Sequence, residues 1–457
     1  MLVVLALLWV RDAEVALGAP VDAPPPASYR ATPPLTAGQQ GADDGDAPPH
    51  VLVVFWEVWE IVHAEFLDRP ALDSQRLVHG AIRGMVESLE DPSSPLADGF
   101  PSRSAPDAQR LTYGAIRGML RTLGDADTRL RTPEESRAEA AGWSGELEGI
   151  GACIEARGGP VRVDAPIAES PAARAGLVSG DLILAVDGRP VEGLPLREVV
   201  ARIRGPRDTE VTLTIRRAEA TAPVDVTLVR AQIRLLSARG TLLEPGIGLL
   251  RVTAFTGGTD EEVGAALEYL RREGARALVL DLRGNPGGWL EPAIAVASRF
   301  VPDGPIVWKE DGRGERQPYD RRADQPLLEW PLVVLVDRGT ASAAEVVAAA
   351  VRDADRARLA GQPTYGKGTV QYVHELSDSS WLFVTAARWI SPAGTRLDQG
   401  GLTPDVPEDA SGIDAADAVL EQAVQLLRQG FPPDPTWPAG SLSPPQERCT
   451  PNSTGVA

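Results

Sequence analysis

Lysine is almost absent from this 457-residue chain, since only two of its 45 Lys and Arg residues, Lys309 and Lys367, are lysine. Acidic residues exceed basic ones, and the formal net charge at pH 7 is −19. Such a charge repels the phosphates of nucleic acids, and the chain offers no basic patch for anionic lipid. We therefore expect no nucleic-acid partner.

Cysteine and long apolar runs are scarce as well. Cys153 and Cys449 imply no disulfide framework, and no Cys/His cluster has the spacing of metal ligands. The apolar run at residues 1–10 is too short to span a bilayer and lacks a basic segment before it, so we interpret residues 1–18 as a short or truncated signal peptide. Residues 19–50, rich in Pro, Ala, Asp and Gly, predict a disordered linker, and residues 431–457 predict a similar tail.

The scarcity of lysine draws attention to Lys367, which lies between Gly366 and Gly368. Arginine is permanently charged, whereas a lysine shielded from water can lose its proton near neutral pH and act as a base. Chance retention on a solvated loop is the alternative interpretation, and Lys309 is the expected example of it.

A serine on a strand-to-helix turn is a suitable partner for such a base. The apolar run 332–336 predicts a strand and residues 343–352 predict a helix, with Ser342 in the turn between them. Amides at the start of a helix point at the group that such a hydroxyl attacks. Ser342 and Glu345 also form the pattern S-x-x-E of a capping box, which requires no chemistry.

A second strand followed by a glycine turn is predicted at residues 278–288. Parallel strands of an open α/β sheet bind ligands at their carboxyl ends. Free amides of Gly287 or Gly288 could therefore face the amide of Ala343 across a crevice and form an oxyanion hole.

The strand predicted at residues 369–376 carries two polar candidates. Gln371 is four residues from Lys367, so the two share a face and Gln371 could orient the amine. His374 lies on the opposite face; it could serve a Ser-His-Asp triad with Asp281, but a plain strand histidine and a turn contact of Asp281 are the simpler interpretations. Residues 361–367 approach the phosphate-binding pattern G-x-x-x-x-G-K-[ST], but a strand is predicted where that pattern requires a helix.

Three segments in this order, DLRGNPGG (281–288), GTASAAE (339–345) and YGKGTVQ (365–371), resemble the carboxyl-terminal processing proteases, which are serine peptidases of family S41 with a Ser-Lys-Gln site. The resemblance extends over residues 52–408 and implies a mixed α/β fold with the protease core at residues 232–430. Because water completes the acyl-transfer cycle of such a site, we expect no cofactor, and the spacing of Cys and His predicts no metal. The functional residues that the resemblance carries over are the nucleophile Ser342, the general base Lys367, its orienter Gln371, and oxyanion amides from Ala343 and from Gly287 or Gly288.

Residues 147–231 resemble a PDZ domain, through the segments GIGA (149–152) and SPAARAGLVSGDLILAVDG (170–188). Such domains add the C-terminal end of a peptide to a sheet edge and hold its carboxylate on free amides, here those of Gly149, Ile150, Gly151 and Ala152. The resemblance thus implies an endopeptidase that selects protein or peptide substrates by apolar C-terminal tails. Two alternatives remain: the PDZ domain is only a structural lid, or the whole chain is a proteolytically inactive PDZ scaffold.

Residues 51–144 predict an N-terminal helical region with an internal duplication, because residues 73–85 recur as 107–119. In the family such a region often builds dimers, so a homodimer through it is one expectation, and packing within its own domain is the other. The signal peptide implies an extracytoplasmic location, in the bacterial periplasm or at the exterior of the cell envelope. Apolar residues at helical spacing form one stripe in this region, namely Phe55, Val58, Trp59, Val62 and Phe66.

Overall fold

The computed structural model describes residues 30–31, 51–90, 108–143, 146–156, 159–217, 220, 222–408 and 415–429. The predicted signal peptide, most of the linker 19–50 and the tail 431–457 lie outside these residues. Within the described ranges, no helix is both long and apolar enough to cross a bilayer. The described residues form a helical N-terminal region, a smaller sheet domain and a larger α/β core, which is the mixed α/β class that the sequence predicts.

The N-terminal region is mainly helical. The apolar stripe of the first helix buries Val58, Val62 and Phe66 in a cluster with residues of the third helix and of the core, including Met119 and Leu382. The stripe therefore packs within its own chain. The elements of this region are β1 (Arg30–Ala31), α1 (Val51–Glu65), α2 (Ser74–Glu90), α3 (Ala108–Arg121), β2 (Arg129–Arg131) and α4 (Pro133–Trp143).

The duplicated segments form α2 and α3, which pack directly on each other through their glycines. A Cβ atom on Gly84 would lie 2.1 Å from the carbonyl oxygen of Gly114, and one on Gly118 would lie 2.3 Å from the carbonyl oxygen of Gly80. Since real Cβ atoms do not approach a backbone so closely, the two helices require glycine at these crossing points.

The smaller domain is an antiparallel sheet in the order β4-β5-β6-β8-β9, with β4 at its edge. Its apolar core includes Val163, Ile183 and Leu213. Cys153 in β4 takes part in a disulfide, although the two cysteines of the sequence imply no disulfide framework. The elements are β3 (Glu146–Gly149), β4 (Ala152–Glu155), β5 (Arg162–Pro166), α5 (Pro171–Arg174), β6 (Leu182–Val186), β7 (Arg189–Pro190), α6 (Leu196–Ile203), β8 (Glu210–Arg216), β9 (Val224–Val229) and β10 (Ala231–Arg234).

The core contains two sheets. One has the order β11-β12-β13-β16-β17-β20, and its strands from β12 onward are parallel. The other, β1-β18-β19-β14-β15, also binds β2 through β19 and so joins the N-terminal region to the core. The elements are β11 (Ala238–Glu244), β12 (Ile247–Val252), α7 (Thr259–Arg272), β13 (Ala277–Asp281), α8 (Leu290–Ser298), β14 (Pro305–Asp311), β15 (Arg316–Asp320), β16 (Leu332–Val336), α9 (Ala343–Asp353), β17 (Ala357–Gly361), β18 (Thr369–Glu375), β19 (Trp381–Ile390), β20 (Val406–Pro407) and α10 (Ala415–Gln429).

The parallel sheet explains where the predicted site residues lie. All residues of β13 and β16 are buried, because α7, α8 and α9 pack on one face of the sheet and α10 on the other. β13 and β16 are neighbours in register, with Asp281 opposite Leu335, so the turns that follow them open at the same edge. The element after β17 is the strand β18 and not a helix, which confirms that residues 361–367 do not form the phosphate-binding loop.

Candidate active site

Ser342 lies in the turn between β16 and α9, as predicted, with a backbone conformation that is unusual for serine. Its φ is 56° and its ψ is −121°, a backbone conformation that residues other than glycine rarely adopt. The residue is 1% exposed, and its Oγ has no hydrogen-bond partner within the described part of the chain. A buried hydroxyl without a partner, held at the start of a helix by a strained backbone, is typical of a functional site.

The capping-box alternative is present in the structure but does not satisfy the serine hydroxyl. The backbone N–H of Ser342 donates to Glu345 Oε2 at 2.8 Å, which is the glutamate half of the box. The Ser342 side chain is placed for the other half of the box, but its Oγ does not reach hydrogen-bond geometry with any group of the described residues. The cap therefore explains Glu345 but leaves the serine hydroxyl available.

Glu345 connects the nucleophile turn to the loop that carries the lysine. It is fully buried, and its Oε2 also accepts the N–H of Lys367 at 2.9 Å, while its Oε1 accepts the Thr364 hydroxyl at 2.5 Å and the Gly366 N–H at 2.8 Å. Burial raises the pKa of Glu345 above its usual range, and the four hydrogen bonds act in the opposite direction. One buried carboxylate thus fixes both segments.

Lys367 is held by an acidic residue from the N-terminal region. Its Nζ lies 3.0 Å from Asp127 Oδ1, and the side chains are 11% and 29% exposed. The amine therefore has an acidic partner and makes no hydrogen bond to Ser342 Oγ, an atom that has no hydrogen-bond partner in the described ranges. The other lysine, Lys309, donates to the hydroxyl of Tyr372 at 3.1 Å.

Gln371 lies close to this group but does not contact the amine in the way that its spacing predicts. Its Nε2 donates to Thr369 Oγ1 at 2.9 Å, and Thr369 Oγ1 donates to Asp127 Oδ2 at 3.2 Å. Gln371 Oε1 is buried and has no partner among the described residues. Lys367 lies in the loop before β18, which begins at Thr369, so the strand alternation on which the prediction relied does not extend to the lysine.

Gly287 is the glycine that faces the nucleophile. A Cβ atom on it would lie 2.9 Å from both Ser342 Cβ and the nitrogen of Ala343. Its own N–H donates to Asn285 Oδ1 at 2.8 Å. Gly288 instead lies against Phe255, whose carbonyl oxygen would be 2.0 Å from a Cβ on that glycine. The structure thus brings Gly287, Ser342 and Ala343 together, with Gly288 beside them.

The two residues of the alternative triad are engaged elsewhere. His374 Nε2 lies 2.7 Å from Glu65 Oε2, on the helix α1. Asp281 binds Arg283 and Arg251, whose hydrogen bonds and charges outweigh the opposing effect of burial and hold the pKa of Asp281 below its usual range. The simpler interpretations, a strand histidine and a turn contact, are confirmed.

The predicted carboxylate-binding loop of the PDZ domain is held in a defined shape. The carbonyl oxygen of Ile150 accepts the N–H of Ala172 at 2.8 Å, and that of Gly151 accepts the Ile167 N–H and the Ser170 hydroxyl, both at 2.9 Å. The loop leads from Gly149 at the end of β3 to Ala152 at the start of β4, the edge strand of this sheet. A loop that ends at a sheet edge is the arrangement that peptide addition requires.

Sequence reasoning missed Asp127 and the full role of Glu345. Glu345 has a local signal, because it follows Ser342 at capping-box spacing, but its bonds to Thr364, Gly366 and Lys367 join segments distant in sequence. Asp127 has no sequence signal of its own, since it is one acidic residue among many in an acidic chain.

Comparison with known proteins agrees with this geometry. Residues 246–407 match the model of peptidase family S41, and residues 162–217 match that of the PDZ domain. The chain is 34% identical over 369 residues to the carboxy-terminal processing protease CtpA of Bacillus subtilis, a match that covers 81% of this chain and 71% of the relative. It is 38% identical over 315 residues to the carboxyl-terminal-processing protease of Synechocystis sp., covering 66% of this chain and 74% of the relative.

Among solved structures, a lipoprotein from Streptococcus agalactiae has the same fold at 13% sequence identity, with a TM-score of 0.50, and the match covers 85% of this chain and 100% of that one. The likeness concerns the fold alone. The family model and the sequence relatives decide the identity: the chain is a serine-type peptidase that belongs to the carboxyl-terminal processing proteases of family S41 and carries a PDZ domain.

Proposed function

We propose that this chain is an endopeptidase in which Ser342 is the nucleophile, Lys367 the general base and Gln371 the residue that orients the base. The observation that carries the proposal is the Ser342 hydroxyl, which is buried on a strained turn at the start of α9 and has no partner among the residues that the structure describes. Gln371 Oε1 is a second buried atom without a partner among the described residues. The amine of Lys367 is the group that could satisfy both.

In the proposed reaction, the uncharged amine of Lys367 takes the proton of Ser342 Oγ as this oxygen bonds to the peptide carbonyl carbon. The N–H groups of Ala343 and of Gly287 or Gly288 stabilise the negative charge on the carbonyl oxygen. Lys367 then gives the proton to the leaving amine, and the peptide bond breaks. Water, deprotonated by the same lysine, hydrolyses the acyl-serine and restores the enzyme.

Incubation with a denatured protein substrate that ends in apolar residues tests this proposal directly. The wild-type protein should produce fragments, and Ser342→Ala should produce none while it keeps the wild-type melting temperature. Cleavage that persists in Ser342→Ala would show that another group attacks the peptide. No cleavage by the folded wild-type protein would favour the alternative, an inactive PDZ scaffold.

We also propose that the PDZ domain selects substrates by apolar C-terminal tails. Support comes from the fixed loop at residues 149–152 and from the edge position of β4, where a tail can add as a further strand. The structural-lid alternative predicts that changes at the substrate's C-terminus have no effect on cleavage.

We propose in addition a homodimer through the N-terminal helical region. Apolar Val78, Ile82 and Val86 recur along α2 and are exposed, although such a face is usually covered by another surface. Sedimentation velocity at micromolar concentration tests this proposal, and a monomer would refute it.

The proposed location is extracytoplasmic, in the bacterial periplasm or outside the cell envelope. The disulfide at Cys153 supports it, because disulfides persist mainly in oxidising compartments. Fractionation of cells that express the full chain tests the location, and recovery only with cytosolic markers would contradict it.

A further inference from the structure

Asp127 is presented to Lys367 by a rigid turn. Asp125 accepts the N–H groups of Asp127 and Thr128, each at 3.1 Å, and the hydroxyl of Thr128 at 2.6 Å. Thr128 Oγ1 in turn accepts the N–H of Thr385 in β19 at 3.0 Å. The carboxylate of Asp127 is thus carried by a turn that is bonded to the core and fixed at several points.

The carboxylate of Asp127 divides its two oxygens between the groups that the proposed reaction uses. Oδ1 binds Lys367 Nζ at 3.0 Å, and Oδ2 accepts the hydroxyl of Thr369, the residue that holds Gln371 Nε2. Ser342 Oγ and Gln371 Oε1, meanwhile, have no partner within the described ranges. Asp127 therefore competes with the nucleophile and with the proposed orienter for the same amine.

We propose that Asp127 is a positioning residue that restrains the amine of Lys367 away from Ser342. This inference rests on the proposed function, because it concerns the base of that reaction. While the amine is bound to Asp127 Oδ1, it makes no hydrogen bond to Ser342 Oγ among the described residues, so it cannot take the serine proton from that position. Each catalytic cycle then requires the amine to leave Asp127 before Ser342 attacks. The side chain of Asp127 does not take part in bond formation.

The test compares Asp127→Asn with the wild-type protein on a short unstructured peptide that reaches Ser342 without the PDZ domain. Asn keeps the size and one acceptor oxygen but removes the charge, so the amine is held less tightly. We expect kcat to rise on the order of tenfold, the difference between a charge-assisted and a neutral hydrogen bond, with KM unchanged within about twofold. Asp127→Glu restores the charge and should lie close to the wild-type kcat.

Glu139→Gln is the matched control. It removes a carboxylate that binds Arg129 and Arg131 in the same region, and it has no described contact with Lys367. We expect its kcat to equal that of the wild-type protein. If Asp127→Asn does not fold, Asp127→Ser, which is too short to reach the amine, provides the same comparison.

A kcat of Asp127→Asn at or below the wild-type value, in a folded protein, would overturn the inference and assign Asp127 a supporting role or none. The same rise in Glu139→Gln would also overturn it, because the effect would then be one of regional charge. The proposed function fails separately if Ser342→Ala cleaves as well as the wild-type protein, or if no variant with an intact Ser342 cleaves at all.

Discussion

Replacement of Glu345 by Gln should uncouple the Ser342 turn from the Lys367 loop. The carboxylate accepts four hydrogen bonds, whereas a glutamine side chain accepts through one oxygen only and presents N–H groups at the other position. The Thr364 hydroxyl can rotate and accept from the new amide group. We therefore expect the amide nitrogen near Thr364, with the N–H of Gly366 left without a partner.

The expected losses in the free energy of unfolding and in kcat follow from these contacts. A buried N–H that loses its partner costs about 1–3 kcal/mol, and the loss of charge from the remaining bonds adds about 1 kcal/mol. Burial raises the pKa of Glu345, so the ionised carboxylate is itself unfavourable there. Its removal therefore offsets roughly 1 kcal/mol of the loss in the free energy of unfolding. The free energy of unfolding at pH 7 should fall by about 1–3 kcal/mol. The displaced loop should lower kcat on the order of a hundredfold, because catalysis tolerates little misplacement of the base.

Urea unfolding followed by tryptophan fluorescence measures the free energy of unfolding, and cleavage of a short peptide measures kcat. Glu262→Gln is the control. Glu262 is also a buried carboxylate, and it accepts the backbone N–H groups of Ser237 and Ala238. It has no described contact with Ser342 or Lys367. It should lose similar stability and keep its kcat. Equal losses of kcat in both variants, or wild-type kcat in a folded Glu345→Gln, would refute the coupling.

The remaining predictions concern the base, substrate selection and acid stability. Lys367→Arg keeps the charge but should lower kcat at least about a hundredfold, since a guanidinium group cannot act as a base, whereas Lys309→Arg should remain active; more than about a tenth of wild-type activity in the first variant would contradict the Ser-Lys assignment. Amidation of a substrate's C-terminus should slow cleavage of a tail-selected protein on the order of tenfold to a hundredfold below saturation, and should slow a short peptide less; equal rates would favour the structural lid. Asp281→Asn should lower the free energy of unfolding by about 3 kcal/mol at pH 7, because it breaks a buried ion pair. The pKa of Asp281 is lowered in the folded protein, so its stabilisation is present above the unfolded value of about 3.9 and is lost as the pH falls through the folded value. Thermal unfolding should therefore show the two proteins converging in acid, and a constant difference down to pH 2 would contradict this assignment.

Local patterns predicted the elements that carry the site. The buried runs at β13 and β16 correspond to all-apolar or nearly all-apolar segments, and the turns after them place Gly287, Ser342 and Ala343 together. These features depend on residues near one another in the sequence and on the rule that parallel strands end at one edge of a sheet.

Features that depend on distant residues or on loop geometry were not predictable in this way. Asp127 reaches Lys367 from the N-terminal region because β2 pairs with β19, and a sequence pattern does not report such pairing. Lys367 lies outside β18, which begins at Thr369, so an argument from alternation along that strand does not fix where its side chain lies relative to Gln371.

The duplicated helices α2 and α3 constrain each other's further divergence. Both copies contain the segment GAIRGM, at residues 80–85 and 114–119. Each glycine at a crossing point touches the backbone of the other copy, so a side chain acquired by one helix would displace both. A duplicated segment usually leaves one copy free to change, but here the two copies became each other's binding surface. The duplication has therefore made these glycines harder to replace in either copy than they would be in a single helix.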